Sequence, residues 1–175
     1  KTFIQNSFKI EKTFFNLSSS LKSILGEIYL QDLASQIPVN CIDFTSLSKE
    51  VKVLDMAASP GSKTTQIADI LTSNKIKFEI TALEPDKNRL NRLINNIQKQ
   101  GFENIKIYNT TGQDFQTQTK FDIILLDAPC SGNLVGDRDW LNKRDLKGIQ
   151  NNASLQKELL KNASKLLAKN GILIY

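Results

Sequence analysis

The sequence predicts an α/β fold, a mostly parallel sheet with helices on both of its faces. From about residue 48 onward, short β-rich apolar runs alternate with helix-forming stretches, the order that builds parallel sheets. The run Phe121 to Leu126 is apolar apart from Asp122, as in a strand covered on both sides. Proline and glycine punctuate the segments at Pro60-Gly61, Pro85, Gly101 and Gly171.

Val51 to Ala57 reads as the first strand and Lys63 to Leu71 as a helix after the Pro60-Gly61 turn. Ile76 to Leu83 is the second strand. Pro85 and Asp86 start a helix with Leu90, Leu93, Ile94 and Ile97 on one face and Gly101 at its end. Ile105 to Tyr108 is the third strand and Phe121 to Leu126 the fourth. A long loop leads to a helix from about Ser154 to Ala168, stopped by Asn170-Gly171, and Gly171 to Tyr175 reads as the fifth strand. Residues 1–47 fall outside this alternation. Phe3, Phe8, Phe14 and Phe15, with the serines Ser18 to Ser20, read as an irregular lead-in, partly helical from Leu21, that packs on the sheet. The expected organisation is a lead-in, 1–47, on one domain, 48–175. Because it opens on Lys1 and stops inside a strand, the chain is expected to be a fragment truncated at the fifth strand.

At 175 residues and 40% apolar, the chain is long enough for one sizeable core. A net charge of +5 favours a polyanionic partner. Lys157, Lys161, Lys165 and Lys169 recur every four residues opposite Leu155, Leu159, Leu166 and Leu167, a stripe that reads as a solvated helix face rather than an RNA track. The two cysteines, Cys41 and Cys130, make no secreted-type framework, so a reducing, cytoplasmic compartment is expected. Cys41, between Pro38 and Phe44, is expected to be a small buried apolar residue. The absence of histidine excludes Ser-His-Asp hydrolysis, His-assisted cysteine proteolysis and His-containing zinc sites. Neither a membrane-spanning stretch nor a signal-peptide pattern is present, and a soluble monomer without metal is expected.

Two segments carry chemistry. In Asp55-Met56-Ala57-Ala58-Ser59-Pro60-Gly61-Ser62-Lys63-Thr64, small residues leave the backbone open to a ligand, and the following helix N-terminus offers amides to negative charge. A P-loop needs glycines where Ala57 and Ser62 stand, and a dinucleotide fingerprint needs three glycines where only Gly61 is present. S-adenosylmethionine needs amides for its carboxylate, room for its sulfonium and an acid for its ribose. Glu84, at the end of the second strand, supplies that acid; otherwise it is a surface acid before Pro85. In Asp127-Ala128-Pro129-Cys130, an acid and a thiol lie three positions apart at a strand's carboxyl end. They serve either a reaction needing a carboxylate and a sulfur nucleophile or only a capped turn and a half-buried cysteine.

These residues resemble a known family. Leu54 to Thr65 and Asp127-Ala128-Pro129-Cys130-Ser131-Gly132 are similar to two signature motifs of the Sun-type, RsmB-like RNA (cytosine-5) methyltransferases. Tyr29 to Ser35, Trp140 and the helix Leu155-Gln156-Lys157-Glu158-Leu159-Leu160 agree with them, so that the resemblance runs from about Gly26 onward. The Asn133 spacing and the Trp140 to Asp145 segment look most like the archaeal branch. The resemblance implies a Rossmann-like S-adenosylmethionine-dependent methyltransferase fold and an RNA partner, ribosomal or transfer RNA, methylated at carbon 5 of cytosine.

In that family a thiolate adds at carbon 6 of the ring, making carbon 5 nucleophilic toward the methyl group; a base then removes the carbon-5 proton and the thiol leaves. The adding cysteine lies in a Thr-Cys motif after the fifth strand, so this chain is expected to stop before it at Tyr175. The catalytic residues implied here are Cys130 for product release, Asp127 for the cytosine edge and Lys63 lining the same pocket. The cofactor-binding residues implied are Ala57, Ala58, Ser59, Pro60, Gly61, Ser62, Lys63, Glu84, Arg89, Thr111 and Asp127. Ser62 and Ser59 replace a usual glycine and alanine. Thr111 stands where relatives commonly carry an aspartate for the adenine amino group; either Thr111 accepts that bond without charge or Asp114 reaches in. The alternatives are a P-loop nucleotide hydrolase with Leu125-Leu126-Asp127 as its magnesium-binding strand end, and a non-catalytic cofactor- or RNA-binding module.

Overall fold

The computed structural model describes residues 4, 7–10, 16–132, 139–140 and 142–175. Phe3, Phe14, Phe15 and Asn133 lie outside them. Strands β1 (Glu50–Asp55), β2 (Lys77–Leu83), β3 (Ile105–Tyr108), β4 (Phe121–Leu125) and β5 (Leu167–Ile174) form one sheet in the order β3-β2-β1-β4-β5. Every neighbouring pair is parallel, as the alternating sequence predicts. Helices α1 (Leu21–Ile24) and α2 (Leu33–Asn40) precede the sheet, and α3 (Ser62–Ser73), α4 (Lys87–Lys99) and α5 (Leu146–Leu166) make its crossovers. The strand order reverses direction between β1 and β4, and ligands of open α/β sheets sit outside the carboxyl ends there.

Successive strand residues bury opposite ways. Val53 and Ile123 enter a core with Ile67 and Leu71 of α3 and with Val39 and Ile42 of the lead-in. Leu54 and Ile124 enter the other core, against Leu159, Ala163 and Leu166 of α5. Helix α4, capped by Asp86, whose carboxylate accepts from the Arg89 amide at 2.8 Å, lays Leu93 and Ile97 over Ala58 and Ala82. The lead-in is fixed at three places. Gln66 of α3 donates to the Gln36 carbonyl at 3.2 Å, the Tyr29 side chain hydrogen-bonds Ser62, and Gly26 abuts the α4 end so closely that a Cβ would lie 2.1 Å from the Lys99 carbonyl oxygen. Among its phenylalanines, Phe8 is 66% exposed.

Three expectations need correction. Cys41 is exposed, because the helix end turns it outward and Ile42 takes the buried position instead. Helix α5 starts at Leu146 rather than near Ser154, because Asp145 caps it by accepting from the Gly148 amide at 2.7 Å. It also ends at Leu166, and Asn170, at φ 65°, with Gly171 forms a register shift inside β5 instead of a helix stop. Lys157, Lys161 and Lys165 are exposed on α5 while Lys169 is exposed on β5, so the stripe is divided between two elements. No helix among the described residues is long and apolar enough to cross a membrane.

Candidate active site

The carboxyl ends of β1 and β4 deliver two acids to one small concavity of about 20 Å³. It is lined by Asp55, Ala57, Ala58, Ser59, Pro60, Ser62, Lys63, Leu125 and Asp127. Lys63, in the first turn of α3, donates from Nζ to Asp127 Oδ2 at 2.7 Å, and its side chain is only 14% exposed. The two sequence segments singled out for chemistry are therefore joined by a charge-assisted hydrogen bond. A larger groove, about 700 Å³, lies at the amino ends of β1 and β2 beside Phe44, Leu47 and Ile76. That is the end of the sheet opposite the one where this architecture binds ligands.

Asp55, which the sequence reading passed over, is buried beneath the concavity. Its Oδ2 accepts from the Thr64 hydroxyl at 2.7 Å and its Oδ1 from the Ala57 amide at 3.3 Å. Burial pushes its carboxyl up to about 6; Asp127 adds to this, while the Thr64 and Ala57 hydrogen bonds and Lys63 oppose it. An acid ending a buried strand was the available signal.

The loop between Asp55 and α3 is held from α4. Asn96 donates to the Pro60 carbonyl at 2.8 Å, and Ser59 Oγ donates to the Arg89 carbonyl at 2.9 Å. The Ser59-Pro60 peptide is cis. Gly61 has φ 101°, and a Cβ there would stand 3.0 Å from Leu93 Cδ1. The glycine thus serves the left-handed turn and the close approach of α4, and it does not line the concavity. No side chain caps α3, which leaves its first-turn amides available to an anion.

Glu84, Arg89, Thr111 and Cys130 are at the same end of the sheet but outside the concavity. Glu84 is 1% exposed; its Oε1 accepts from the Asp86 amide at 2.9 Å and its Oε2 pairs with Arg89 Nη2 at 3.4 Å. Arg89 Nη2 also donates to the Ser59 carbonyl at 3.3 Å. Thr111 donates from its hydroxyl to Asp114 Oδ2 at 2.5 Å and accepts from the Asp114 amide at 3.3 Å. Cys130 is exposed, and its Sγ accepts from the Gly132 amide at 3.4 Å. The following turn is held where Trp140 Nε1 and Arg144 Nε both donate to the Ser131 carbonyl, at 2.6 and 2.5 Å. Among the described residues no group of three or more His, Cys, Asp or Glu is placed to hold a metal ion.

The chain is similar to known proteins. The chain is 36% identical over 163 residues to ribosomal RNA small subunit methyltransferase F of Cronobacter sakazakii, covering 91% of this chain and 33% of that protein. It is 35% identical over 151 residues to tRNA (cytosine(72)-C(5))-methyltransferase of Pyrococcus horikoshii, covering 86% and 37%. The chain thus spans about a third of the length of these curated relatives. Among solved structures it resembles NSun6 from Pyrococcus horikoshii with SFG, at 34% identity and TM-score 0.76 over 90% of this chain and 40% of that one. It also resembles a methyltransferase homolog protein from the same organism, at 30% and 0.77 over 92% and 49%. Residues 44–175, which hold every strand and both chemical segments, match the family described as 16S rRNA methyltransferase RsmB/F, and the chain belongs to that family.

Proposed function

We propose that this chain is the cofactor-binding and base-binding core of an RNA (cytosine-5) methyltransferase. The observation that carries the reading is the Lys63–Asp127 bond at 2.7 Å, which places the two motif segments side by side over Asp55. S-adenosylmethionine, the cofactor of this fold and family, supplies an electrophilic methyl group. The residues present fit it. The uncapped first turn of α3 meets a carboxylate, and Ala57, Ala58, Ser59, Pro60 and Ser62 leave the backbone bare beside it. Glu84 takes the ribose hydroxyls; its carboxylate has lone pairs left after Asp86 and Arg89. Arg89 and Gly61 hold the loop that the cofactor lies on. Asp114, oriented by the Thr111 hydroxyl, accepts from the adenine amino group in place of the usual aspartate.

Lys63 fixes one oxygen of Asp127 and leaves the other for the edge of a flipped-out cytosine. The mechanism is covalent: a cysteine adds to carbon 6, and Cys130 assists its departure. The substrate is ribosomal or transfer RNA, both of which are named for relatives. The protein acts in the cytoplasm as a monomer, without metal or membrane, and residues 1–47 form a lead-in to the domain of 48–175. Calorimetric titration tests the reading: S-adenosylmethionine is expected to bind and ATP with magnesium is not. Binding of the nucleotide alone would make the protein a P-loop hydrolase, despite Ala57 and Ser62 at the glycine positions.

A further inference from the structure

Behind the Cys130 loop, one amide on α5 is shared between two segments distant in sequence. Gln156 Nε2 donates to the Pro129 carbonyl at 2.8 Å, while its Oε1 accepts from the Tyr175 hydroxyl at 2.9 Å. One turn earlier on the same face, Asn152 Nδ2 donates to Ser131 Oγ at 3.2 Å. A carboxamide is the side-chain group that offers a donor and an acceptor at this length without charge, and both are used here. The loop after β4 and the end of β5 therefore meet on one side chain.

We infer that Gln156 is a positioning residue for methyl transfer, clamping the loop that carries Asp127 and Cys130 to the end of β5. The inference rests on the proposed function, in which groups at the ends of β4 and β5 act on one base. A reacting centre built from two segments is sensitive to displacements of about 1 Å, and the β4–β5 pairing ends with the Leu126 amide donating to the Ile174 carbonyl at 2.8 Å. Gln156 links the two segments beyond that bond. Three substitutions separate its two contacts. Gln156→Leu removes both, Gln156→Glu keeps the acceptor for Tyr175 and loses the donor to Pro129, and Tyr175→Phe does the reverse.

Amide hydrogen exchange on this chain reads the clamp without any activity. Gln156→Leu should speed exchange at residues 130–132 and at 173–175 roughly fivefold, the loss of one hydrogen bond. Gln156→Glu should speed only the first segment and Tyr175→Phe only the second, with the core of β1 unchanged in all three. In methyl transfer to RNA, Gln156→Leu should lower kcat about tenfold or more while cofactor KM stays within about twofold. Exchange unaltered at 130–132, or faster exchange spread over the whole sheet, overturns the clamp; faster local exchange with kcat unchanged overturns the positioning role. A wild-type protein that binds no S-adenosylmethionine instead overturns the proposed function, and the exchange result is then unaffected.

Discussion

The cost of the site is concentrated in Asp55. As a free carboxyl it titrates at 3.8, and in the folded protein burial raises it to about 6. Between those values the folded chain holds a proton that the unfolded chain has released. The stability this group contributes is therefore fully present below about pH 4 and is lost as pH rises through about 6. A rise of that size corresponds to roughly 3 kcal/mol. Asp55→Asn keeps the side chain's size and an oxygen for the Thr64 hydroxyl, and it has no proton to lose. Urea unfolding at pH 4.5 and pH 7.5 should show the variant gaining on the wild type by on the order of 2 kcal/mol at the higher pH. An equal difference at both pH values would mean that Asp55 is solvated in the folded protein. Its role was hidden in the sequence because Asp55 reads as the polar end of a strand, and the burial comes from Thr64 and the β4 side of the sheet folding over it.

At the level of elements, the sequence was most informative where period and punctuation agreed. Helix α4 shows this: between Asp86 and Gly101, Leu93 and Ile97 are buried in the core and Leu90 and Ile94 are half-buried. Helix α5 shows the reverse. Gly148, Asn151 and Asn152 weaken local helix propensity, so its first two turns were legible only through contacts made elsewhere, Asn152 to Ser131 among them. The Asn170-Gly171 pair has the local chemistry of a helix stop, yet tertiary pairing with β4 uses it as an irregularity within β5. The turn before α3 was legible as small residues, but not as packing. Gly61 combines a φ of 101° with a Leu93 contact that leaves 3.0 Å for a Cβ. Gly61→Ala should then cost about 1–3 kcal/mol and weaken cofactor binding, because relief requires α4 or the loop to move. Thermal unfolding with and without S-adenosylmethionine checks it; unchanged stability would show that the loop adapts without strain.

Across the whole molecule, the parallel order β3-β2-β1-β4-β5 brings segments 64 residues apart, Lys63 and Asp127, into one bond. No local pattern contains that distance. It follows from the right-handed crossovers that alternating strands and helices impose, and in the sequence Lys63 joined the pocket only through the family resemblance. Cys130 is different: its sequence spacing from Asp127 predicts nearness to the site, but the structure sets it outside the concavity on an exposed turn. The proposed function gives that turn a part in releasing the base rather than in attacking it. A 5-fluorocytosine RNA distinguishes the two roles. Addition of a thiolate at carbon 6 followed by methyl transfer would leave fluorine where the carbon-5 proton should be removed, so the adduct persists. This 175-residue chain should form no such adduct with S-adenosylmethionine and the fluorinated RNA, because Cys130 is assigned to release and not to addition. Gel electrophoresis and mass spectrometry would reveal one. A covalent species mapped to Cys130 would transfer the nucleophile's role to that turn, and the Pro129 carbonyl and Gly132 amide would become the groups that aim it.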